Sequence, residues 1–270
     1  MTNPAFSNNP AFSNRGANVA AVAAQNYTAE QLQQMYDRPT TLPDSEVMTV
    51  ENTLHKTALS FGVLALGAIA GWMIAGTMPA ILIGAALIGM VLGLVNSFKR
   101  EPSPALILSY AAVEGIFVGG ISSFFESVWP GVVSQAVIAT LCVVGVTLAL
   151  FASGKIRASA RATKIFLVAM IGYAVFSLVN FGLQAFGVVQ SPFGLRDTLI
   201  FGIPLGVILG VLVVLMAAYS LVLDFDFIQQ GARNRIPAKY GWTGAFGILM
   251  TVVWLYLEVL RLVAMLRGND

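Results

Sequence analysis

The 270-residue chain is 57% hydrophobic and only 10% charged, against roughly 25% charged in an ordinary soluble domain. Its 15 Lys and Arg stand against 13 Asp and Glu, a net charge of +2 that excludes the clustered basic face of a nucleic-acid binder. One cysteine, Cys142, and one histidine, His55, exclude a disulfide framework, a Cys-based metal cluster and a multi-His zinc site. The class that remains is an all-α, polytopic membrane protein, with the lipid bilayer as its first partner.

Residues 1–44 differ in kind from the rest. The hexapeptide NPAFSN is written twice, over residues 3–8 and 9–14. It is polar and turn-prone, so the segment is expected to be a disordered cytoplasmic tail. Thr28 and Gln31 resemble a capping box, and Leu32, Met35 and Tyr36 make the apolar face of a short helix before Pro39. No apolar run here suits a cleavable signal peptide, so the first hydrophobic helix is expected to act as signal anchor.

Residues 45–270 are expected to form the transmembrane domain. Seven apolar segments follow, near 57–77, 79–97, 104–125, 132–152, 165–187, 199–224 and 243–266. Each approaches the ~20 residues that cross the hydrocarbon core. They are read as helices because lipid cannot satisfy free backbone groups. The short break at residues 77–79 predicts a tight hairpin of helices one and two.

The bases are unevenly shared between the loops. Arg15, Arg38 and Lys56 precede the first helix, Lys99 and Arg100 follow the second, and Lys155, Arg157, Arg161 and Lys164 follow the fourth. Arg233, Arg235 and Lys239 follow the sixth, which leaves only Arg196, Arg261 and Arg267 for the other side. The positive-inside rule then puts the N-terminus in the cytoplasm and the C-terminus outside.

Glycines four apart (Gly67/Gly71, Gly89/Gly93, Gly115/Gly119 and Gly202/Gly206/Gly210) mark faces where helix backbones approach closely. In helix six, Gly206, Gly210, Ala217, Ser220 and Asp224 share one stripe at 100° per residue, so Asp224 points into the bundle. Asp226, two residues on, points about 200° away. Both acids also suit a cytoplasmic helix end.

Helix seven carries the stripe Tyr240, Gly244, Gly247, Thr251, Glu258 and Arg261. There Glu258 and Arg261, three apart, can neutralise each other. Glu114 in helix three lies near mid-membrane without a basic neighbour on its own helix. It is either a proton or cation ligand or a buried acid hydrogen-bonded across the bundle. Glu126 sits at a helix end beside Trp129 and reads as interfacial. Tyr173, Ser177, Asn180 and Gln184 fall within about 60° of arc on helix five, a seam that lines a hydrated path or binds polar groups of another helix. No nucleophile-and-base pattern, HExxH, GxSxG or P-loop occurs, so an enzyme is not expected.

Three motifs carry a family resemblance. Tyr110-Ala-Ala-Val-Glu114-Gly115, Asp224-Phe-Asp-Phe-Ile228 and Leu255-Tyr-Leu-Glu258-Val-Leu-Arg-Leu, in that order among seven spans, resemble the Bax-inhibitor/YccA-like family. The NPAFS-type tail and Ala245–Ile248 are similar to its actinobacterial branch. The resemblance covers about residues 45–270. It implies a seven-helix fold with the last helix central, in a bacterial cell membrane. It also implies a pH-sensitive calcium leak gated by a carboxylate pair between helices six and seven. Asp224 matches the first member of that pair, and Glu258 matches the second only with Asp exchanged for Glu.

Depth opposes a direct pair. Glu258 lies about 22 Å along a straight helix from Thr243, whereas Asp224 is at the cytoplasmic end, and Glu258 is nearer in depth to Glu114. The expected gate residues are therefore Asp224, Glu258 and Asp226. The expected ion-path residues are Glu114, Tyr173, Ser177, Asn180, Gln184 and Thr251. Asp224 and Glu114 are the expected transient ligands of calcium or another cation, because hard cations take oxygen ligands. No resident cofactor is expected. The alternative function is a non-transporting regulator of membrane proteolysis or of a stress or cell-death response, acting through membrane protein partners such as a quality-control protease.

Overall fold

In a computed structural model of the chain, the described residues are 47–76 and 78–268. The chain divides after Ser45, and the unit Glu46–Asp270 holds everything below. The expectations for the tail (the NPAFSN repeat, the capping box at Thr28, the short helix and the disorder) lie outside the described residues.

Among the described residues seven helices are long and apolar enough to cross a membrane, and the protein is a multi-pass, all-α membrane protein. They are α1 (Val50–Ile74), α2 (Pro79–Phe98), α3 (Pro104–Val128), α4 (Val132–Ala152), α5 (Ala160–Ala185), α6 (Leu205–Arg233) and α7 (Gly241–Arg267). Local chemistry sets their starts. The Thr49 hydroxyl accepts the Asn52 N–H at 3.0 Å, and the Ser159 hydroxyl accepts the Ala162 N–H at 3.2 Å. These caps begin α1 and α5 in polar turns, ahead of the apolar runs that hydropathy marks at 57 and 165. α2 and α3 open on Pro79 and Pro104, whose missing N–H costs nothing in a first turn.

The largest departure from expectation is at helix six. Residues 199–204 are not helical but a hairpin, Leu199–Ile200 paired antiparallel with Ile203–Pro204. Its turn residues Phe201 and Gly202 both have positive φ, 52° and 83°, which suits a two-residue hairpin. Gly202 therefore belongs to a turn, not to a helix-packing face. At its other end α6 continues past Asp224 to Arg233, because the polar run that follows still forms helix once it has left the hydrocarbon.

α7 is the centre of the bundle. It packs against α6, α1, α4 and α3, and Leu249, Leu255, Leu260 and Ala264 along it are fully buried. α1 lies along α3 with backbones in contact. A Cβ on Gly67 or Gly71 would fall on the carbonyl oxygens of Ala112 or Ile116, and one on Gly115 or Gly119 on those of Leu64 or Ala68. α1 and α2 are close in sequence but do not form a packed hairpin, since each packs on α3 instead. α2 and α5 are peripheral and turn side chains such as Ile83, Met90, Val168 and Phe181 outward.

Charged groups gather at two ends. At one, Lys56 Nζ donates to the Ala238 carbonyl at 2.6 Å, Lys239 bonds Glu101 at 2.8 Å, and Arg157 bonds Gln229 at 3.0 Å. Met48 N–H reaches the Ile236 carbonyl at 2.7 Å there, beside the Val47–Pro237 bridge. At the other end Glu126 caps the start of α4, accepting the N–H groups of Gly131 (2.6 Å) and Val133 (3.0 Å), and Arg267 donates to the Pro130 carbonyl.

Candidate functional site

Two polar sites lie along α7, separated by one apolar turn. The first is at Asp224. Its stripe on α6 faces α7, so that Asp224 Oδ1 fills the space a Cβ on Gly247 would take, 2.7 Å away. Thr251 donates to Asp224 Oδ2 at 2.8 Å, and Ser220 Oγ lies 3.2 Å from the Thr251 hydroxyl. With the Thr251 proton on the carboxylate, Ser220 donates to Thr251 in turn. Asp226 points the other way and accepts from Gln230 on its own helix at 2.5 Å.

The second site is at Glu258, seven residues beyond Thr251 and about 10 Å further along α7. Asp224 and Glu258 therefore make no direct pair. Leu221 on α6 and Leu255 on α7, both fully buried in one cluster, occupy the intervening turn. Arg261 Nη1 donates to both Glu258 oxygens at 2.8 and 2.9 Å, and the Tyr173 hydroxyl donates to Oε1. Arg196 Nη1 approaches Oε2 at 3.6 Å. The Nη2 of Arg196 donates to the Tyr173 hydroxyl at 2.9 Å and to Ser177 Oγ at 3.0 Å. The side chains of Arg196 and Glu258 are each 6% exposed, and that of Arg261 is 31%.

Arg196 reaches this depth because its loop is gripped by α5. Asn180 Oδ1 accepts the Leu195 N–H at 2.6 Å and its Nδ2 donates to the Phe193 carbonyl at 3.3 Å. Asp197 closes the turn by accepting the Phe193 N–H at 3.0 Å, and Phe193 stacks on Trp129 with centroids 5.9 Å apart. The 3-10 turn Gly194–Asp197 is thus held by α5, and it also packs against α6. Gln184 spends its amide on the Asn180 carbonyl at 3.4 Å. The helix-five seam thus binds polar groups from elsewhere in the chain, and its four residues also line a cavity.

Around this network is a cavity of about 810 Å³ between α3, α5 and α7. Its walls combine Tyr173, Ser177, Arg196, Glu258 and Arg261 with aromatic rings such as Phe125 and Trp254. A second cavity, of about 680 Å³, lies between α1, α3, α4 and α7 and carries no charged group. Thr140 on its wall has a buried hydroxyl without a hydrogen-bond partner among the described residues.

Glu114 is in neither site. Its Oε2 lies against Gly89 on α2, 2.7 Å from where a Cβ would stand, with no hydrogen bond or ion pair among the described residues. Glu114, Asp224 and Glu258 therefore occupy three separate places. Among the described residues, no three His, Cys, Asp or Glu converge as a metal cluster would require. Arg196 is the residue that sequence reasoning missed, because a base between apolar runs reads as loop surface. The signal available was indirect: helix five carried a polar seam without a partner.

The model of the Bax inhibitor 1 like family matches residues 3–268 of the chain. No curated protein matches it.

Proposed function

The chain belongs to the Bax inhibitor 1 like family, and from that premise we propose that it is a gated leak for calcium or a similar cation. It acts in a bacterial cell membrane, with its N-terminus cytoplasmic and its C-terminus outside. The path follows α7 between the Glu258 cavity and Asp224 and is closed by Leu221 and Leu255. An apolar constriction of this kind shuts a pore by excluding water.

The observation that supports this reading is the setting of Asp224. A carboxylate on a packed helix face within a membrane is costly and is a functional candidate by default. Among the described residues Asp224 is held there by one hydroxyl, that of Thr251. Charged, it ties α6 to α7 through Thr251 and Ser220; protonated, it accepts that bond less strongly and the two helices are freer to part.

Purified protein in liposomes loaded with a calcium dye tests the proposal. Flux should rise as pH falls, and Asp224→Asn should conduct at every pH with a flattened pH profile. Asp226→Asn should change the profile much less, because Asp226 pairs outward with Gln230. A folded wild type that passes no cation at any pH would sink the proposal and favour the regulator of membrane protein partners.

A further inference from the structure

The cavity between α3, α5 and α7 carries two guanidinium groups and one carboxylate. The carboxylates of Asp197, next to Arg196, and of Glu126, next to Phe125, accept the backbone N–H groups of Phe193, and of Gly131 and Val133. Neither lines the cavity. Among the cavity's lining residues two guanidinium groups therefore share one carboxylate, an excess of one positive charge in surroundings mostly of aromatic and aliphatic carbon. A charge so placed is costly unless an anion or water completes it. Arg261 is the group with capacity to spare. Among the described residues only its Nη1 makes hydrogen bonds, and it is the most exposed of the three charges.

The shape of the cavity selects the anion. α3 and α5 do not pack against one another, so the cavity opens sideways between them. Phe124 and Phe181 flank that opening, exposed by 59% and 70%. An amphiphile entering from the bilayer would set its chains on these rings and its head on the arginines. A planar guanidinium matches the oxygens of a phosphate in two-pronged fashion.

We propose that this cavity binds the phosphate head of a net-anionic phospholipid, held chiefly by Arg261, with its acyl chains lying in the gap between α3 and α5. The proposal rests on the charge and opening of the cavity and not on conduction, so a protein that passes no cation would still show it.

The test is native mass spectrometry of the full chain in a neutral detergent, offered phosphatidylglycerol and phosphatidylcholine with the same chains. Wild type should retain phosphatidylglycerol over phosphatidylcholine by about fivefold, the ratio expected for one basic side chain near an anionic head. Arg261→Gln should bring that ratio close to one, whereas Arg261→Lys should keep a preference and reports that the position tolerates substitution. Phe181→Glu puts a negative charge at the mouth on a side chain that packs on little, and should also abolish the preference. Equal retention of both lipids by wild type, or a preference that survives both Arg261→Gln and Phe181→Glu, would overturn the assignment. Displacement of phosphatidylglycerol by millimolar inorganic phosphate would overturn its lipid part, leaving a site for phosphate from water.

Discussion

At the scale of single residues, Glu258 is the most committed side chain in the bundle. It takes donors from Arg261 and Tyr173 and lies beside Arg196, which has no other carboxylate within ion-pair distance among the described residues. Removing one member of a buried ion pair strands the other, which typically costs about 3–5 kcal/mol. Glu258→Gln should therefore lower the thermal unfolding midpoint in detergent well below that of Arg196→Met, since Glu258 keeps Arg261 and Tyr173 when Arg196 is gone. The double variant should be more stable than the sum of the two changes requires, because residues in one network couple. A Glu258→Gln variant that unfolds with wild type would mean that water already satisfies the arginines.

At the scale of elements, α1 and α3 show what the glycine spacing does. Gly71→Ala and Gly119→Ala would drive a methyl into the carbonyls of Ile116 and Ala68, where backbone cannot give way as a side-chain tip can. Each should cost about 1–3 kcal/mol or more by overpacking. Gly62→Ala and Gly145→Ala meet nothing within 4 Å. They should be neutral or stabilising by about 0.5–1 kcal/mol, from helix propensity alone. Unfolding midpoints of the four variants check this, and equal losses at all four would refute the close approach.

The loops between α2 and α3 and between α6 and α7 are joined by Glu101 and Lys239. The Lys239 ammonium holds the Glu101 carboxyl below its ordinary range, through a hydrogen bond and its charge. A carboxyl lowered in the folded state contributes stability above its unfolded value of about 4.3, and that contribution is lost as pH falls through the lowered range. Glu101→Gln should thus be slightly less stable than wild type at pH 7, and the gap should close below about pH 4. A gap that widens on acidification would show that the bridge is not what ties these loops.

At the scale of the whole molecule, the proposed orientation comes from the loop charges and can be read directly. A tag on the N-terminus and one in the loop 153–159 should be reachable only from the cytoplasm, and a C-terminal tag only from outside. A cytoplasmic C-terminus would mean that one of the seven helices does not span, and the order of the two sites along α7 would lose its meaning in depth.

Much of this architecture was legible in sequence. Hydropathy with a 20-residue period finds the seven helices, because burial in lipid demands apolar length in each segment by itself. The 100° step finds the inward face of Asp224 and the outward turn of Asp226, because a helix fixes its own angular order. Hydropathy fails where apolar content and helix part company, as in the hairpin 199–204, and where helix continues in polar sequence, as beyond Asp224. Contacts between segments distant in the chain were not legible. That Arg196 descends to Glu258, that Asn180 grips the backbone at Leu195, and that Asp224 meets Thr251 instead of Glu258 depend on how separate helices are stacked. That stacking is decided by close packing along α7 and between α1 and α3, which no single segment encodes. The sequence by itself determined that this is a seven-span membrane bundle and which helix faces are polar. Only the tertiary structure decided which polar groups meet, because an ion pair or hydrogen bond needs its partners within about 3–4 Å, and that distance is a property of the assembled helices.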